Sequence, residues 1–223
     1  MQAHPDDRHG VLNELREAIR RIERRPARRI GAVPCGLSEV DAALPAGGFP
    51  RGAISELVGA RASGKTAVAL GLLAALGTDD LFAWVDGRGE LYPPAAAARG
   101  VNLERLLIVR PGMRAGPAPG SGSAVVEGAL WAAEALLGSS AFAAVVVDVA
   151  LSGAGAGRGW ETVARRLQAA AEKGGAVGLW LSPARSALRV PAVLRLELAA
   201  ERGRVVAHRP MGGGTLAGES RVA

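Results

Sequence analysis

The chain has 223 residues, enough for one α/β domain with a full core and a short appendage; 49% are apolar and only 4% aromatic. No apolar stretch is long and unbroken enough to span a membrane, and the single cysteine, Cys35, excludes an intrachain disulfide. With a charged N-terminus that lacks an apolar leader, these features predict a cytoplasmic protein. The formal net charge of +6 comes almost entirely from arginine. This excess of positive charge has two open interpretations: the codon bias of a GC-rich genome, or an acidic partner such as nucleic acid.

The first predicted element is an amphipathic helix over residues 11–25. Leu12, Leu15, Ile19 and Ile22 recur at helical spacing, arginines and glutamates fill the other faces, and Pro26 ends the pattern. The apolar stripe has two interpretations: it packs on the chain's own domain, or it docks on a partner or a second copy. Residues 1–34 are thus predicted to form an N-terminal segment of amphipathic helix and basic linker, with the linker over 26–34. A short helix before such a linker is typical of a docking arm, so the four stripe residues are interpreted as partner-binding.

The middle of the chain alternates strands and helices. The segment 35–44 predicts a short capped helix, and 47–52 a turn. Strands are predicted over 54–58, 81–85, 106–109, 142–147 and 177–181, and helices over 66–76, 93–98, 124–137 and 162–173. This rhythm predicts an α/β domain over 35–212 with a mostly parallel, doubly wound sheet. Residues 194–198 and 205–208 predict a C-terminal antiparallel hairpin on the sheet edge, followed by a flexible tail over 213–223.

The segment 59–66, with the sequence GARASGKT, matches the phosphate-loop pattern G-x-x-x-x-G-K-[ST] at every fixed position. Gly59 and Gly64 allow the backbone to form an anion-binding nest, in which Ser63 is a further nucleotide contact. Lys65 can reach the outer phosphates, and the Thr66 hydroxyl is a ligand for Mg²⁺. A strand before the loop and a helix after it complete the context. We therefore predict a site for ATP or ADP with magnesium.

Three carboxylates are candidates for the chemistry around that loop. Asp148 ends an apolar strand, where such an acid holds Mg²⁺ through water, so it joins Thr66 as a predicted metal-linked residue. Asp86 ends another strand, and Glu90 follows four residues later. Either of these two could polarise the attacking water, or be a solvated loop acid.

The region 35–210 resembles the core of the RecA-like recombinases. The shared motifs begin with Gly36-Leu37-Ser38 and the segment Gly47–Gly52, and continue through the phosphate loop, Trp84-Val85-Asp86 and Val145–Asp148. In that family a glutamate two residues after the Asp86 position activates the attacking water, whereas this chain has Arg88. The two segments equivalent to the DNA-binding loops, 151–159 and 181–193, are short. The resemblance thus implies a RecA-like P-loop core with little or no ATP hydrolysis, and with at most electrostatic, non-specific DNA binding.

A trimmed RecA-like core behind an amphipathic arm is similar to the ImuA family of bacterial accessory proteins. That resemblance implies a role in DNA-damage-induced translesion synthesis. The implied partners are an ImuB-like protein, RecA and an error-prone polymerase, and self-association is also open. The rival interpretation is an active DNA-dependent ATPase or recombination mediator, against which Arg88 and the short second loop argue. A small P-loop kinase is disfavoured because no lid segment is evident, and no residue argues for a cell-division inhibitor.

Overall fold

The computed structural model describes residues 31–112, 122–151, 159–185, 190–201 and 204–208. The predicted arm with Leu12, Leu15, Ile19 and Ile22 lies outside the described residues, as does the tail. So do residues 152–158 and 186–189, which belong to the two segments equivalent to DNA-binding loops. The domain boundaries at these segments stay predictions.

Strands and helices alternate through most of the described chain. The strands are β1 (Ala32–Val33), β2 (Phe49–Pro50), β3 (Ala53–Gly59), β4 (Leu81–Asp86), β5 (Leu106–Val109), β6 (Phe142–Asp148), β7 (Val177–Pro183), β8 (Leu194–Glu201) and β9 (Arg204–His208). The α-helices are α1 (Ser38–Ala43), α2 (Lys65–Ala74), α3 (Pro93–Ala98), α4 (Gly122–Gly138) and α5 (Trp160–Gly174), and short 3-10 helices span Pro45–Gly47 and Leu103–Arg105.

The main sheet has seven strands in the order β5-β4-β6-β7-β3-β8-β9. The first six strands in that order are parallel to one another, and β9 pairs antiparallel with β8 at the edge. The prediction of a mostly parallel, doubly wound α/β sheet with a C-terminal hairpin is therefore confirmed. Because all the parallel strands run the same way, the loops that follow them meet at one edge, which we call the carboxyl edge.

The core lies on both faces of the sheet, as the apolar run in β6 illustrates. All seven residues of that strand are buried. Ala144 and Val146 belong to one apolar cluster, with α1, α2 and α3, whereas Val145 and Val147 belong to a second cluster, with α4 and α5. Successive side chains of a strand point to opposite faces, so a continuous apolar run is what a sheet covered on both faces requires.

Helix α5 packs closely on α4 along a stripe of small and apolar residues. Leu167, Ala170, Ala171 and Gly174 are buried at helical spacing. A Cβ at Gly174 would collide with the backbone of Leu137 in α4, so only glycine allows this close approach.

Two expectations at the start of the domain are corrected by the structure. The predicted linker and the predicted turn each contain a two-residue strand, and β1 and β2 pair antiparallel as a small separate sheet. The predicted capped helix begins only at Ser38, and its N-cap residue, Leu37, makes no side-chain cap bond. The Asp41 carboxylate instead accepts hydrogen bonds from the amides of Cys35 and Gly36, at 2.8 and 3.0 Å. Strands of two residues leave no periodic signal, which is why the sequence pattern missed them.

Within the described ranges, no helix is both long and apolar enough to cross a membrane.

Candidate nucleotide-binding site

The phosphate loop joins β3 to α2 at the carboxyl edge, as predicted. Gly64 is the N-cap residue of α2 and has a φ of 94°, and Ala62 has a φ of 59°. Alternation of right- and left-handed backbone is the geometry of an anion-binding nest. A Cβ at Gly59 would lie 2.6 Å from the carbonyl oxygen of Leu198 and would collide with Ser63, so glycine is needed there.

Lys65 is held against the loop that it follows. Its Nζ donates hydrogen bonds to the carbonyl oxygens of Gly59 and Ala60, at 2.6 and 2.7 Å, and to Ser63 Oγ at 3.3 Å. Burial lowers the pKa of Lys65, and the charge of Arg88 lowers it further, while Asp148 opposes both effects. The ammonium group is thus positioned by the loop itself, with Thr66 exposed beside it in the first turn of α2.

Asp148 lies at the end of β6, where the sequence placed it. The residue is buried, and burial raises the pKa of its carboxyl to about 6. The nearby charge of Arg88 acts against this rise, whereas Asp86 and Glu90 add to it. An acid of this kind is a candidate functional group because its environment disfavours the charged form.

Arg88 reaches toward Asp148 from the turn after β4. Its Nε lies 3.7 Å from Asp148 Oδ1, and its Nη2 lies 3.3 Å from Glu90 Oε2. Glu90 in turn lies 3.9 Å from the guanidinium of Arg61 in the phosphate loop. Alternating charges therefore run from the loop to β6, with Arg88 between two carboxylates.

Asp86, the other predicted strand-end acid, has different partners. Its Oδ2 lies 2.8 Å from Nε of Arg110, and its oxygens accept hydrogen bonds from the amides of Glu90 and Leu91, at 3.0 and 3.3 Å. Arg110 also donates to the carbonyl oxygen of Leu91, at 3.0 Å. With both oxygens engaged and only 2% of the residue exposed, Asp86 is placed to stabilise the turn that carries Arg88.

Two further polar clusters were missed by sequence reasoning. One is the Asp86–Arg110 pair, and the other is built on Glu56 in the middle of β3. The Glu56 carboxylate accepts a hydrogen bond from Ser182 Oγ and lies 3.2 Å from Nη1 of Arg195, so it links β3 to the strands on both sides. A carboxylate inside an apolar strand is a usable signal, because such a group is buried only with a partner.

The residues of the site fit the phosphate groups of a magnesium nucleotide better than they fit the metal ion. The glycine cradle, the N-terminus of α2 and Lys65 fit phosphate groups. The predicted metal-linked pair, Thr66 and Asp148, fits a divalent cation poorly, because Asp148 already faces the fixed guanidinium of Arg88.

The fold and this loop together define a P-loop α/β nucleotide-binding domain. The family model for the RecA N-terminal domain matches residues 14–154, more than half of the chain, so the chain belongs to the RecA family.

Curated relatives agree with that assignment. The chain is similar to protein RecA of Bacillus licheniformis, at 37% identity over 132 residues, which are 59% of this chain and 34% of the relative. Protein RecA of Bacillus subtilis is 38% identical over 132 residues, with the same shares of the two chains. Protein RecA of Streptococcus mutans is 39% identical over 95 residues, 42% of this chain and 25% of the relative. The match thus spans about a third or less of these relatives.

Proposed function

We propose that this chain is an accessory member of the RecA family that binds ATP or ADP and hydrolyses ATP slowly or not at all. The binding half of the proposal rests on the family and on the intact phosphate loop. The other half rests on one observation: Arg88 lies between Asp148 and Glu90, at the position where a water-activating acid is expected.

The three carboxylates near the loop are each engaged by arginine. Asp86 is bound by Arg110, while Glu90 and Asp148 both contact Arg88. Hydrolysis needs a group that accepts a proton from the attacking water, and a guanidinium cannot do so. A missing general base lowers the rate roughly 10²–10⁴-fold.

We further propose that the protein acts through protein contacts in DNA-damage-induced translesion synthesis. This step is supported by the resemblance to the ImuA family, whose partners are an ImuB-like protein, RecA and an error-prone polymerase. The contact surface proposed for them is the stripe Leu12, Leu15, Ile19 and Ile22.

The binding proposal is tested by calorimetry with ATP on the full chain. Lys65→Ala should weaken binding by one to a few kcal/mol, the size of a lost charge-assisted contact. Lys173→Ala is the matched control, because Lys173 is the chain's other lysine and is exposed on α5. Absence of binding in the wild type would refute nucleotide binding. An ATPase rate that rises strongly with single-stranded DNA would instead support the rival, an active DNA-dependent ATPase.

The partner proposal is tested by a double substitution in the arm, Leu15→Asp with Ile19→Asp. Burial of each such side chain is worth about 1.5–3 kcal/mol, so the pair should abolish a micromolar contact with every proposed partner. Arg16→Asp with Arg20→Asp is the control on a polar face. If the variant with Leu15→Asp and Ile19→Asp still binds every partner, the contact surface lies elsewhere. If the core of that variant unfolds, the helix packs on its own domain.

A further inference from the structure

The turn that carries Arg88 is fixed at several points. The amide of Gly87 donates to the carbonyl oxygen of Asp148 at 3.0 Å, and the amide of Glu90 donates to Asp86 Oδ1 at 3.0 Å. Gly87 also leaves no room for a side chain beside Val149, because a Cβ there would lie 3.0 Å from Val149 Cγ2. The turn is therefore docked on the end of β6, and its position does not depend on the contacts of the Arg88 side chain.

The Arg88 side chain is itself constrained. Only 24% of it is exposed, and its guanidinium faces Asp148 on one side and Glu90 on the other. The side chain of Asp148 is only 11% exposed. Both side chains are therefore mostly shielded from water, which places a partly buried positive charge beside Asp148 at the carboxyl edge.

We infer that the candidate nucleotide-binding site binds nucleotide phosphates without a divalent cation, with Arg88 supplying the positive charge opposite Asp148 that a metal would otherwise supply. The inference rests on the proposed nucleotide binding and names the form of the ligand, the metal-free nucleotide. It concerns binding alone and involves no covalent step.

Charge and geometry both support this assignment. The charges of Lys65 and Arg88 both lower the pKa of the same carboxyl, Asp148, and the charge of Arg88 also lowers the pKa of Lys65. Two fixed cations near one acid favour an incoming anion, whereas a divalent cation placed at Asp148 would be repelled by the neighbouring guanidinium. A guanidinium is also suited to phosphate oxygens, because its planar fork donates several hydrogen bonds at once.

The test is calorimetry with ATP in excess EDTA and again in excess MgCl₂. We expect the wild type to bind ATP at least as tightly in EDTA as in MgCl₂, where magnesium complexes most of the nucleotide in solution. Arg88→Ala should bind at least about tenfold more weakly in EDTA, the size of one lost charge-assisted contact, and should recover part of that loss in MgCl₂. Arg88→Lys keeps a positive charge and should stay largely metal-independent.

A second readout counts the metal directly. Mn²⁺, followed by electron paramagnetic resonance in the presence of ADP, should bind Arg88→Ala but not the wild type. Arg166→Ala is the matched control, because Arg166 pairs with Glu134 on the surface formed by α4 and α5 and should behave as the wild type. Thermal unfolding of each variant verifies that it is folded.

The outcomes separate this inference from the function on which it rests. Wild-type binding in MgCl₂ that weakens at least tenfold in EDTA would overturn the inference and leave nucleotide binding intact. Binding by Arg88→Ala that equals the wild type in both buffers would overturn it as well. No binding in either buffer would overturn both proposals.

Discussion

Asp86 and Asp148 end neighbouring parallel strands and are register partners, yet they have different environments. Asp86 is bound by Arg110 at 2.8 Å and by two backbone amides. Asp148 has its guanidinium partner, Arg88, at 3.7 Å, and burial raises its pKa to about 6. The sequence offers the same residue type at the same kind of position, and the partners decide what each acid does.

The difference shows how a strand-end acid becomes structural or functional. Arg110 follows β5, so its pair with Asp86 connects the ends of the adjacent strands β4 and β5. The same arginine donates to the carbonyl oxygen of Leu91, which holds the turn that follows β4. Arg88 contacts Asp148 more loosely and from a turn that is fixed independently. Fully satisfied groups stabilise a fold, whereas a buried acid with incomplete compensation is typical of a binding site.

The largest effect is expected from removing the satisfied acid. Asp86→Ala leaves Arg110 and two backbone amides without their acceptor, and should lower the free energy of unfolding by about 3 kcal/mol. In a chain of this size this is a fall of roughly 10 °C in the melting temperature. Calorimetric melting of the variant checks the value. Glu104→Ala, at an exposed acid, should stay within about 0.5 kcal/mol of the wild type; equal melting of the two variants would contradict a structural role for Asp86.

Replacement of Asp148 should instead raise the free energy of unfolding, by an amount that depends on pH. Its pKa is about 6 in the folded chain and 3.8 in the ordinary reference, so the folded state keeps a proton that the unfolded state has lost. Stability contributed by this group is therefore complete below about pH 4 and falls as the pH rises to about 6. At pH 8, Asp148→Asn should be more stable than the wild type by about 2 kcal/mol, and near pH 4 the gain should vanish. Urea unfolding at both pH values measures this, and a difference that does not change with pH would show that burial of the charge is not the cause.

Much of the fold was readable from the sequence because its signals are local. The phosphate loop fits at every fixed position, and the apolar run of β6 is long enough to identify a buried strand. The predicted bounds of α3 and β5 equal the observed ones. The two-residue strands β1 and β2 were missed because pairing, not periodicity, defines them.

The site was only partly readable because its pairs join distant parts of the chain. The residues Gly59, Ser63, Gly64, Lys65 and Thr66 come together as one consecutive loop. The Asp86–Arg110 pair spans 24 positions, and the Glu56–Ser182 bond spans 126. No local pattern reports such contacts. Arg88 was visible as an unexpected residue type, but its contact with Asp148 depends on the register of β4 and β6.

The smallest changes in the free energy of unfolding are expected when Arg110 or Arg88 is replaced by lysine. These two variants compare the Asp86–Arg110 pair directly with the Asp148–Arg88 pair. Arg110 uses two nitrogens, one toward Asp86 and one toward the carbonyl oxygen of Leu91. A lysine cannot reproduce this fork, so Arg110→Lys should lower the free energy of unfolding by about 1.5 kcal/mol, close to the value of one charged hydrogen bond.

Arg88→Lys should cost less than about 0.5 kcal/mol, because the contact with Asp148 at 3.7 Å depends on charge more than on hydrogen-bond geometry. Urea unfolding of both variants at pH 7 measures the difference between them. The salt dependence adds a second test. The Arg88 contact at 3.7 Å should weaken between 0.05 and about 0.5 M salt, whereas the directly hydrogen-bonded Arg110 fork on the buried Asp86 should change little. If the two lysine variants lose equal stability and respond equally to salt, the two acids are held in the same way, and the division into a structural and a site-forming pair is wrong.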